Sequence, residues 1–335
     1  MKNQAAWLTE AKAKPLKVGD AEYYTPGADE VLIKNSALGI NPVDWSIIYE
    51  KFPNVIGTDV AGEIVEVGKD VTHLKKGQRV IGHCVGLMTN DPKDGAFQLY
   101  SICKESNVAP IPDSLSFERA TVLPLALSTA ACGLYQENLL GLPLPAKGTK
   151  PNGKMLLVYG GSSSVGTVAI QLAIGSGFDV VSTASKHNLE YVKSLGAKAV
   201  VDHHSTNLVD QLVQALEGGT FAGGFDSICT DDTLKTCVEV AERFGGGKLA
   251  LTKPGAGGDM GKNVTGSSMY AATIAVQSPA VAEGVWGKWV PGALADGTLQ
   301  AKPDPIVIEG GLAKCQEAVD RHKQGVSAAK VVVKL

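Results

Sequence analysis

The sequence lacks a long hydrophobic run, an apolar leader and a cluster of basic residues. No stretch approaches the ~18 consecutive apolar residues of a membrane-spanning helix, and residues 1–14 alternate apolar with charged side chains. The formal net charge is −3, from 31 basic and 34 acidic residues, and no run of Lys or Arg is long enough to follow a phosphate backbone. We therefore expect a cytoplasmic protein with neither a membrane nor a nucleic acid as its partner.

The cysteines lack the spacing of a metal site. There is no Cys-x-x-Cys pair, and no histidine lies at ligand spacing from a cysteine. Free buried thiols are therefore predicted at Cys84, Cys103, Cys132, Cys229, Cys237 and Cys315.

Glycine, by contrast, is abundant, with 39 residues in a chain of 335 that is long enough for two domains. Residues 31–109 have the pattern of strands separated by turns, and a helical pattern begins at Ser116. After a Pro/Gly-rich connector at 141–153, the apolar run Lys154–Tyr159 begins a series of alternating strands and helices. This order predicts an α/β fold with a doubly wound parallel sheet.

A glycine turn follows the run Lys154–Tyr159 and precedes a helical segment. Because glycine has no side chain, backbone amides and a helix N-terminus could bind a pyrophosphate directly at this turn. The serines of the turn add hydroxyl donors. The alternative is a Gly/Ser turn without a ligand, but the strand-turn-helix context favours a dinucleotide. The residues concerned are Gly160, Gly161, Ser162, Ser163, Ser164 and Gly166.

The end of the next strand predicts which dinucleotide binds. NAD-binding chains usually carry an Asp or Glu about 20 residues beyond the glycines, which accepts a hydrogen bond from the ribose 2′-hydroxyl. Residues 182–188 offer hydroxyls, an amide and the cation of Lys186 instead, and these groups suit a 2′-phosphate. NADP(H) is therefore predicted as the cofactor; the alternative is that Lys186 and His187 only cap an exposed helix start.

Several short motifs occur in a fixed order along nearly the whole chain. They are NPVDW at 41–45, GTDVAG at 57–62, KGQRV at 76–80, YGGSS at 159–163, SKHN at 185–188 and AKVVV at 329–333. With these motifs the sequence resembles the medium-chain dehydrogenase/reductase superfamily, and within it the fungal trans-acting enoyl reductases that serve polyketide synthases. The resemblance implies a GroES-like β-rich domain, residues 1–125 and 290–335, and a Rossmann NADP-binding domain, residues 126–289.

The resemblance also bears on metal chemistry. Zinc-dependent members of the superfamily place a catalytic Cys where this chain has Asn41, a His where it has Thr58, and a lobe with four further cysteines. Because a catalytic zinc needs at least three protein ligands, the sequence is assigned to the zinc-free branch, with no metal.

The resemblance further implies which residues contact the ligands. Ser46 and Ser128 are the catalytic candidates. Cofactor contacts are expected from Val43, Asp44, Trp45, Ser46, Gly160, Gly161, Ser162, Ser163, Ser164, Val165, Ser185, Lys186, His187, Asn188, His203, Leu251, Thr252, Val331 and Val332. Substrate contacts are expected from Thr129, Ala130, Ala131, Cys132, Gly133, Leu134, Tyr135 and Gln136.

One position departs from the family pattern. Related reductases commonly have a lysine immediately after the residue that matches Trp45, where this chain has Ser46. A serine can hydrogen-bond the nicotinamide ribose, but it is a poor acid. The proton donor is therefore left open, with Tyr49, Lys51 and water as nearby candidates.

The resemblance implies NADPH-dependent reduction of an α,β-unsaturated carbonyl of polyketide type. The substrate is expected to be a small molecule or tethered to a carrier, with a polyketide synthase acting in trans as partner. The alternatives are a quinone or enone reductase, a non-redox cyclase or pericyclase favoured only by Ser46, and a binding protein without catalysis. Comparing the rates with free enones and with carrier-tethered thioesters would distinguish the enoyl reductase of polyketide type from the quinone or enone reductase.

Overall fold

The computed structural model describes residues 2–46 and 52–335. Its strands, in chain order, are β1 (Asn3–Leu8), β2 (Lys17–Ala21), β3 (Glu30–Gly39), β4 (Asn54–Val55), β5 (Asp59–Val67), β6 (Arg79–His83), β7 (Tyr100–Lys104), β8 (Val108–Pro110), β9 (Lys154–Tyr159), β10 (Asp179–Ala184), β11 (Ala199–Asp202), β12 (Thr220–Asp226), β13 (Gly247–Leu251), β14 (Gly257–Gly261), β15 (Val264–Ser268), β16 (Asp304–Glu309) and β17 (Ala329–Lys334).

The α-helices are α1 (Val43–Ser46), α2 (Gly86–Thr89), α3 (Phe117–Ala120), α4 (Pro124–Tyr135), α5 (Ser164–Gly175), α6 (Leu189–Ser194), α7 (Leu208–Leu216), α8 (Asp231–Arg243), α9 (Ile274–Gln277), α10 (Pro279–Ala282), α11 (Val290–Asp296) and α12 (Cys315–Lys323). In the described part of the chain, no helix has both the length and the apolarity needed to cross a bilayer.

The chain forms two compact units. The first consists of the residues up to Leu125 together with Trp286–Ala295 and Ala301–Leu335, and the second of Ala126–Val285 and Asp296–Gln300. The sheet of the first unit has the strand order β16, β17, β3, β5, β6, β8, and β7 also pairs with β3. Antiparallel pairing of β3 with β5 sets Gly39 opposite Asp59, and β17 pairs with β3 through Val332 and Gly39.

Alternating apolar residues explain why this first sheet is stable. Residues of β3, β5 and β17 that point to one face are fully buried in one cluster, including Ile33, Leu38, Val60, Ile64 and Val331. Burying such side chains is worth about 1.5–3 kcal/mol each. The buried core therefore stabilises the sheet and holds the loops that follow its strands in place.

The second unit is built on a sheet with the order β11, β10, β9, β12, β13, β15, β14. All neighbouring pairs are parallel except β14 and β15. Numbered within the sheet, the parallel strands follow the doubly wound order 3-2-1-4-5-6, in which ligands bind beyond the carboxyl ends of the strands. The predicted α/β fold with a doubly wound parallel sheet is confirmed.

Several elements differ from the sequence patterns. The helical pattern that starts at Ser116 is two helices, α3 and α4, because Pro124 disfavours a helical residue before it. Strand β12 ends at Asp226, because the Asp226 carboxylate accepts hydrogen bonds from the backbone of Ile228 and Cys229 and turns the chain. Within the pattern of strands at 31–109, strand β7 begins only at Tyr100.

Candidate active site

The turn between β9 and α5 is closely packed around its glycines. Gly160 has a left-handed backbone, with φ of 81°. A Cβ on Gly161 would lie 2.3 Å from Ser182 Oγ, and one on Gly166 would lie 2.3 Å from the carbonyl oxygen of Gly160. Only glycine fits these positions, because a side chain at either one would push the turn apart. A parallel strand, a glycine turn and a helix N-terminus in this order are the arrangement with which dinucleotide-binding folds hold a pyrophosphate, and pyrophosphate binding here stays a prediction.

The serines of this turn have different roles. Ser163 caps α5, because its Oγ accepts a hydrogen bond from the Gly166 amide at 3.0 Å. Its hydroxyl also contacts Ser227 Oγ at 2.9 Å, so it is engaged within the protein. Ser162, Ser164 and Val165 are half-buried, and their contact with a cofactor stays a prediction.

The stretch after β10 presents cationic and imidazole groups at the same edge of the sheet. Ser185 begins a 3-10 turn in which Lys186 and His187 are exposed and Asn188 is buried. His203 follows the neighbouring strand β11, and its amide donates to the Ala184 carbonyl at 3.1 Å. The pKa of His203 is lowered by partial burial, and the neighbouring His204 and His187 lower it further.

The carboxylate of Asp202 is close to His203 in sequence and hydrogen-bonds to the backbone. Asp202, the last residue of β11, accepts a hydrogen bond from the His204 amide at 3.1 Å. The second unit thus brings together the glycine turn, the SKHN stretch and His203 at the carboxyl edge of its sheet.

The end of β13 belongs to the same edge. Leu251 is fully buried, and the Thr252 amide donates to Cys229 Sγ at 3.1 Å. Asp226, which sequence reasoning missed, organises this corner: its Oδ2 accepts from Thr233 Oγ at 2.7 Å. The Thr-x-x-Thr capping box of α8, starting at Thr230, was the available sequence signal for this turn.

The first unit holds a buried polar network at the positions where zinc-dependent relatives carry ligands. Asn41 Nδ2 donates to Thr58 Oγ and to Asp59 Oδ2, both at 2.9 Å. The Lys330 ammonium donates to Asn41 Oδ1 at 2.6 Å and to Asp59 Oδ2 at 2.8 Å. Lys330 is 2% exposed and Asp59 is 0% exposed. A buried lysine is thus held by a carboxylate and an amide oxygen.

This network does not fit a catalytic zinc. Its oxygens already accept from the Lys330 ammonium, which supplies the positive charge at this place. The nearby His83 is buried, and the loss of hydration lowers its pKa to about 4. Within residues 2–46 and 52–335, no three His, Cys, Asp or Glu side chains converge as a metal site requires.

The predicted cofactor segment of the first unit is the short helix α1. Asp44 Oδ2 accepts from the Asn41 amide at 2.7 Å. Trp45 is 38% exposed, and its indole N–H donates to His322 Nδ1 at 3.1 Å. His322 can accept because burial lowers its pKa to about 4 and keeps it neutral. Ser46 is exposed, and Val43 is half-buried.

A cavity of about 530 Å³ lies beside α1 in the first unit. Its wall includes Asp44, Trp45 and Ser46, together with Phe52 and Lys323. The wall thus combines apolar side chains with charged groups, which also include Lys12 and Lys14. Tyr49 and Lys51, the candidate proton donors in sequence, lie outside the described residues.

The remaining predicted residues are mostly buried. Val331 and Val332 are fully buried in β17, and Ser128 is fully buried in α4. Of the expected substrate segment only Thr129 is partly exposed. Their contacts with ligands stay predictions. The buried members of that segment are Ala130, Ala131, Cys132, Gly133, Leu134, Tyr135 and Gln136.

Comparison with known proteins gives matches over the whole chain. The family model for the alcohol dehydrogenase GroES-like domain matches residues 27–113, and the one for zinc-binding dehydrogenase matches residues 164–275. The second name describes the family in general, since the buried network of this chain does not fit zinc.

Individual relatives cover nearly all of the chain. Trans-enoyl reductase himH of Aspergillus japonicus is 44% identical over 338 residues, which cover 99% of this chain and 97% of that protein. Dehydrogenase orsE of Emericella nidulans is 38% identical over 353 residues, 99% of both. An alcohol dehydrogenase superfamily protein from Novosphingobium aromaticivorans has a similar structure, with a TM-score of 0.80 and 23% identity over 99% of both chains. The chain belongs to the medium-chain dehydrogenase/reductase superfamily, whose fold implies a nicotinamide cofactor.

Proposed function

We propose that the protein is an NADPH-dependent enoyl reductase acting on the α,β-unsaturated carbonyl of a polyketide-type intermediate. The observation that carries the proposal is the 44% identity, over 99% of the chain, to a protein named a trans-enoyl reductase. The glycine turn between β9 and α5 supports it, because dinucleotide-binding folds hold a pyrophosphate at such a turn. When bound, the reduced nicotinamide supplies a hydride to the β-carbon of the substrate.

The protein works without zinc in this proposal. The support is the Lys330 ammonium, which stands among Asn41 and Asp59 where a metal ligand set would be needed. The substrate is a free small molecule or is tethered to a carrier of a polyketide synthase acting in trans, in the cytoplasm. The identity to a protein named a trans-enoyl reductase supports the tethered form.

The proposal is tested by mixing the purified protein with NADPH and an enoyl N-acetylcysteamine thioester and following the nicotinamide absorbance. We expect steady oxidation of NADPH and a saturated thioester as product. The rates of NADPH oxidation with a simple enone and with a quinone are measured in parallel to identify the substrate class. A faster rate with the quinone would favour a quinone reductase. Tight binding of NADPH without oxidation by any of the three would contradict the reductase proposal and favour a non-redox reaction.

The choice of NADPH over NADH is proposed to depend on Lys186, with His187 and His203 beside it. Replacing Lys186 by alanine should weaken NADPH binding about tenfold, because one charge-assisted hydrogen bond to the 2′-phosphate is lost. NADH binding should not change, since NADH has no 2′-phosphate. The measurement is a fluorescence titration with both cofactors. Lys193→Ala on α6, also exposed, is the matched control. An equal loss for both cofactors would contradict the assignment.

A further inference from the structure

The backbone carbonyl groups of a phosphate-binding turn need to be held in place as much as its amides. A pyrophosphate is bound by N–H donors, and a carbonyl oxygen that faced it would repel it, because both carry negative charge. In the turn between β9 and α5, the carbonyl groups of Tyr159 and Gly160 therefore have to point elsewhere. Both accept hydrogen bonds from one side chain outside the turn, that of Ser227, which directly follows β12.

Ser227 contacts the two carbonyl groups at different distances. Its Oγ lies 2.7 Å from the Tyr159 carbonyl oxygen and 3.1 Å from the Gly160 carbonyl oxygen. The Ser227 amide also donates to the Tyr159 carbonyl oxygen, at 3.2 Å. Because a hydroxyl has only one proton to donate, the shorter contact takes it. The Ser227 proton is therefore directed to the end of β9.

The hydroxyl of Ser163 extends this contact into a chain. Ser163 Oγ lies 2.9 Å from Ser227 Oγ and accepts from the Gly166 amide at 3.0 Å. Since the Ser227 proton is directed to Tyr159, the Ser163 hydroxyl is the donor in the contact between the two serines. The chain thus runs from the Gly166 amide through Ser163 and Ser227 to the Tyr159 carbonyl group. Hydrogen bonds in such a chain strengthen one another, and this one connects the start of α5 to the end of β9.

The backbone around Ser227 is itself fixed. Asp226 Oδ1 accepts hydrogen bonds from the amides of Ile228 and Cys229, both at 2.9 Å. Cys229 is 4% exposed and has a left-handed backbone, with φ of 54°, which residues other than glycine rarely adopt. Its Sγ donates to the Asp226 carbonyl oxygen at 3.1 Å. Strained backbone of this kind concentrates at functional sites, and here it fixes the corner from which the Ser227 side chain reaches the turn.

We propose that Ser227 is a positioning residue of the dinucleotide turn. By binding the carbonyl groups of Tyr159 and Gly160, it keeps them from facing the pyrophosphate of the cofactor, and through Ser163 it orients the start of α5. This role requires no contact between Ser227 and the cofactor. The proposal rests on the assignment of this turn to NADPH, which is part of the proposed function. It also uses the Ser163 proton within the protein rather than on a phosphate oxygen.

The test is Ser227→Ala, with Ser194→Ala as the matched control. The Ser194 hydroxyl also donates to a backbone carbonyl group in the second unit, that of Tyr191 at 2.6 Å, but it lies on α6 and is exposed. We expect the dissociation constant of NADPH to rise about tenfold in Ser227→Ala, because the turn loses its hydrogen bonds from the hydroxyl. Ser194→Ala should bind NADPH like wild type. An NADPH affinity of Ser227→Ala equal to that of Ser194→Ala would overturn the proposal.

A comparison of the two dinucleotides shows which part of the cofactor is affected. The pyrophosphate is common to NADPH and NADH, so Ser227→Ala should weaken the binding of both by the same factor. In the enoyl thioester assay, KM for NADPH should rise while kcat at saturating NADPH stays like wild type. A lower melting temperature with unchanged affinity of the folded protein would indicate a merely structural role and overturn the proposal. A loss of affinity for NADPH alone would also overturn it.

A double-mutant cycle tests the chain of hydroxyls. The variants are Ser163→Ala, Ser227→Ala and the two combined. Since removing either hydroxyl interrupts the same chain, the combined variant should bind NADPH about as weakly as the weaker of the two single variants. Single losses that multiply in the combined variant would show that the serines act independently, which would overturn the action of Ser227 through Ser163.

Ser227→Cys covers the case in which Ser227→Ala folds poorly. A thiol is close to a hydroxyl in size but is a weak donor, so the affinity for both dinucleotides should fall, by less than in Ser227→Ala. Unchanged affinity for both would overturn the role of Ser227 and leave the proposed function intact. If the wild-type protein itself binds neither NADPH nor NADH, the proposed function fails, and the role of Ser227 fails with it.

Discussion

Replacing Lys330 by methionine is expected to lower the free energy of unfolding by about 3–5 kcal/mol. The ammonium lies 2.8 Å from Asp59 Oδ2, and both side chains are almost completely buried. Without Lys330 the Asp59 carboxylate keeps its hydrogen bonds from Asn41 and the Leu125 amide but loses its counter-charge. The measurement is urea unfolding of the wild type and the variant at pH 7.

Two further variants make this expectation specific. Lys14→Met breaks an exposed ion pair with Asp320 at 2.6 Å, and it should cost at most about 1 kcal/mol. Adding Asp59→Asn to Lys330→Met removes the unpaired charge and should restore part of the lost stability. If Lys330→Met costs no more than Lys14→Met, the buried pair does not stabilise the first unit.

Replacing Gly166 by alanine is expected to weaken NADPH binding about a hundredfold, because small displacements in a binding loop have effects of this size. The added methyl would lie 2.3 Å from the Gly160 carbonyl oxygen and 3.0 Å from Gly161 Cα, so the turn must open. The backbone amides at the start of α5 would then point away from the phosphate position. A fluorescence titration with NADPH measures the effect.

The control for Gly166→Ala is Gly218→Ala in the same unit. A Cβ on Gly218 meets only the flexible end of Lys198, at 3.4 Å, so both stability and NADPH affinity should be close to wild type. Unchanged affinity in Gly166→Ala, with a normal melting temperature, would contradict the assignment of this turn to the cofactor.

The parts of the structure that the sequence predicted correctly are those that short local patterns specify. The strand, the glycine turn and α5 lie within about 22 residues, from Lys154 to Gly175, and each is specified by its own composition. Strand β14 escaped notice because its sequence, GGDMG, contains no β-branched or aromatic residue. It forms because β15 is beside it to pair with.

The buried network could not be found in the same way. Lys330 and Asp59 are 271 positions apart in the chain, and only the pairing of β17 with β3, and of β3 with β5, brings them together. In the sequence Lys330 is one of two lysines in an otherwise apolar strand. The substitutions at Asn41 and Thr58 predicted that a metal site was missing, but not that an ammonium stands in its place.

The position of β17 has a consequence for synthesis of the protein. Strand β17 pairs with β3 through residues 332–334. The sheet of the first unit, whose early strands are synthesised first, therefore cannot be completed until after the second unit has been synthesised. Until Lys330 emerges, Asp59 has no counter-charge. The second unit, nearly continuous from Ala126 to Val285, can fold in the meantime. We therefore expect the second unit of the nascent chain to fold before the N-terminal residues of the first unit are stable.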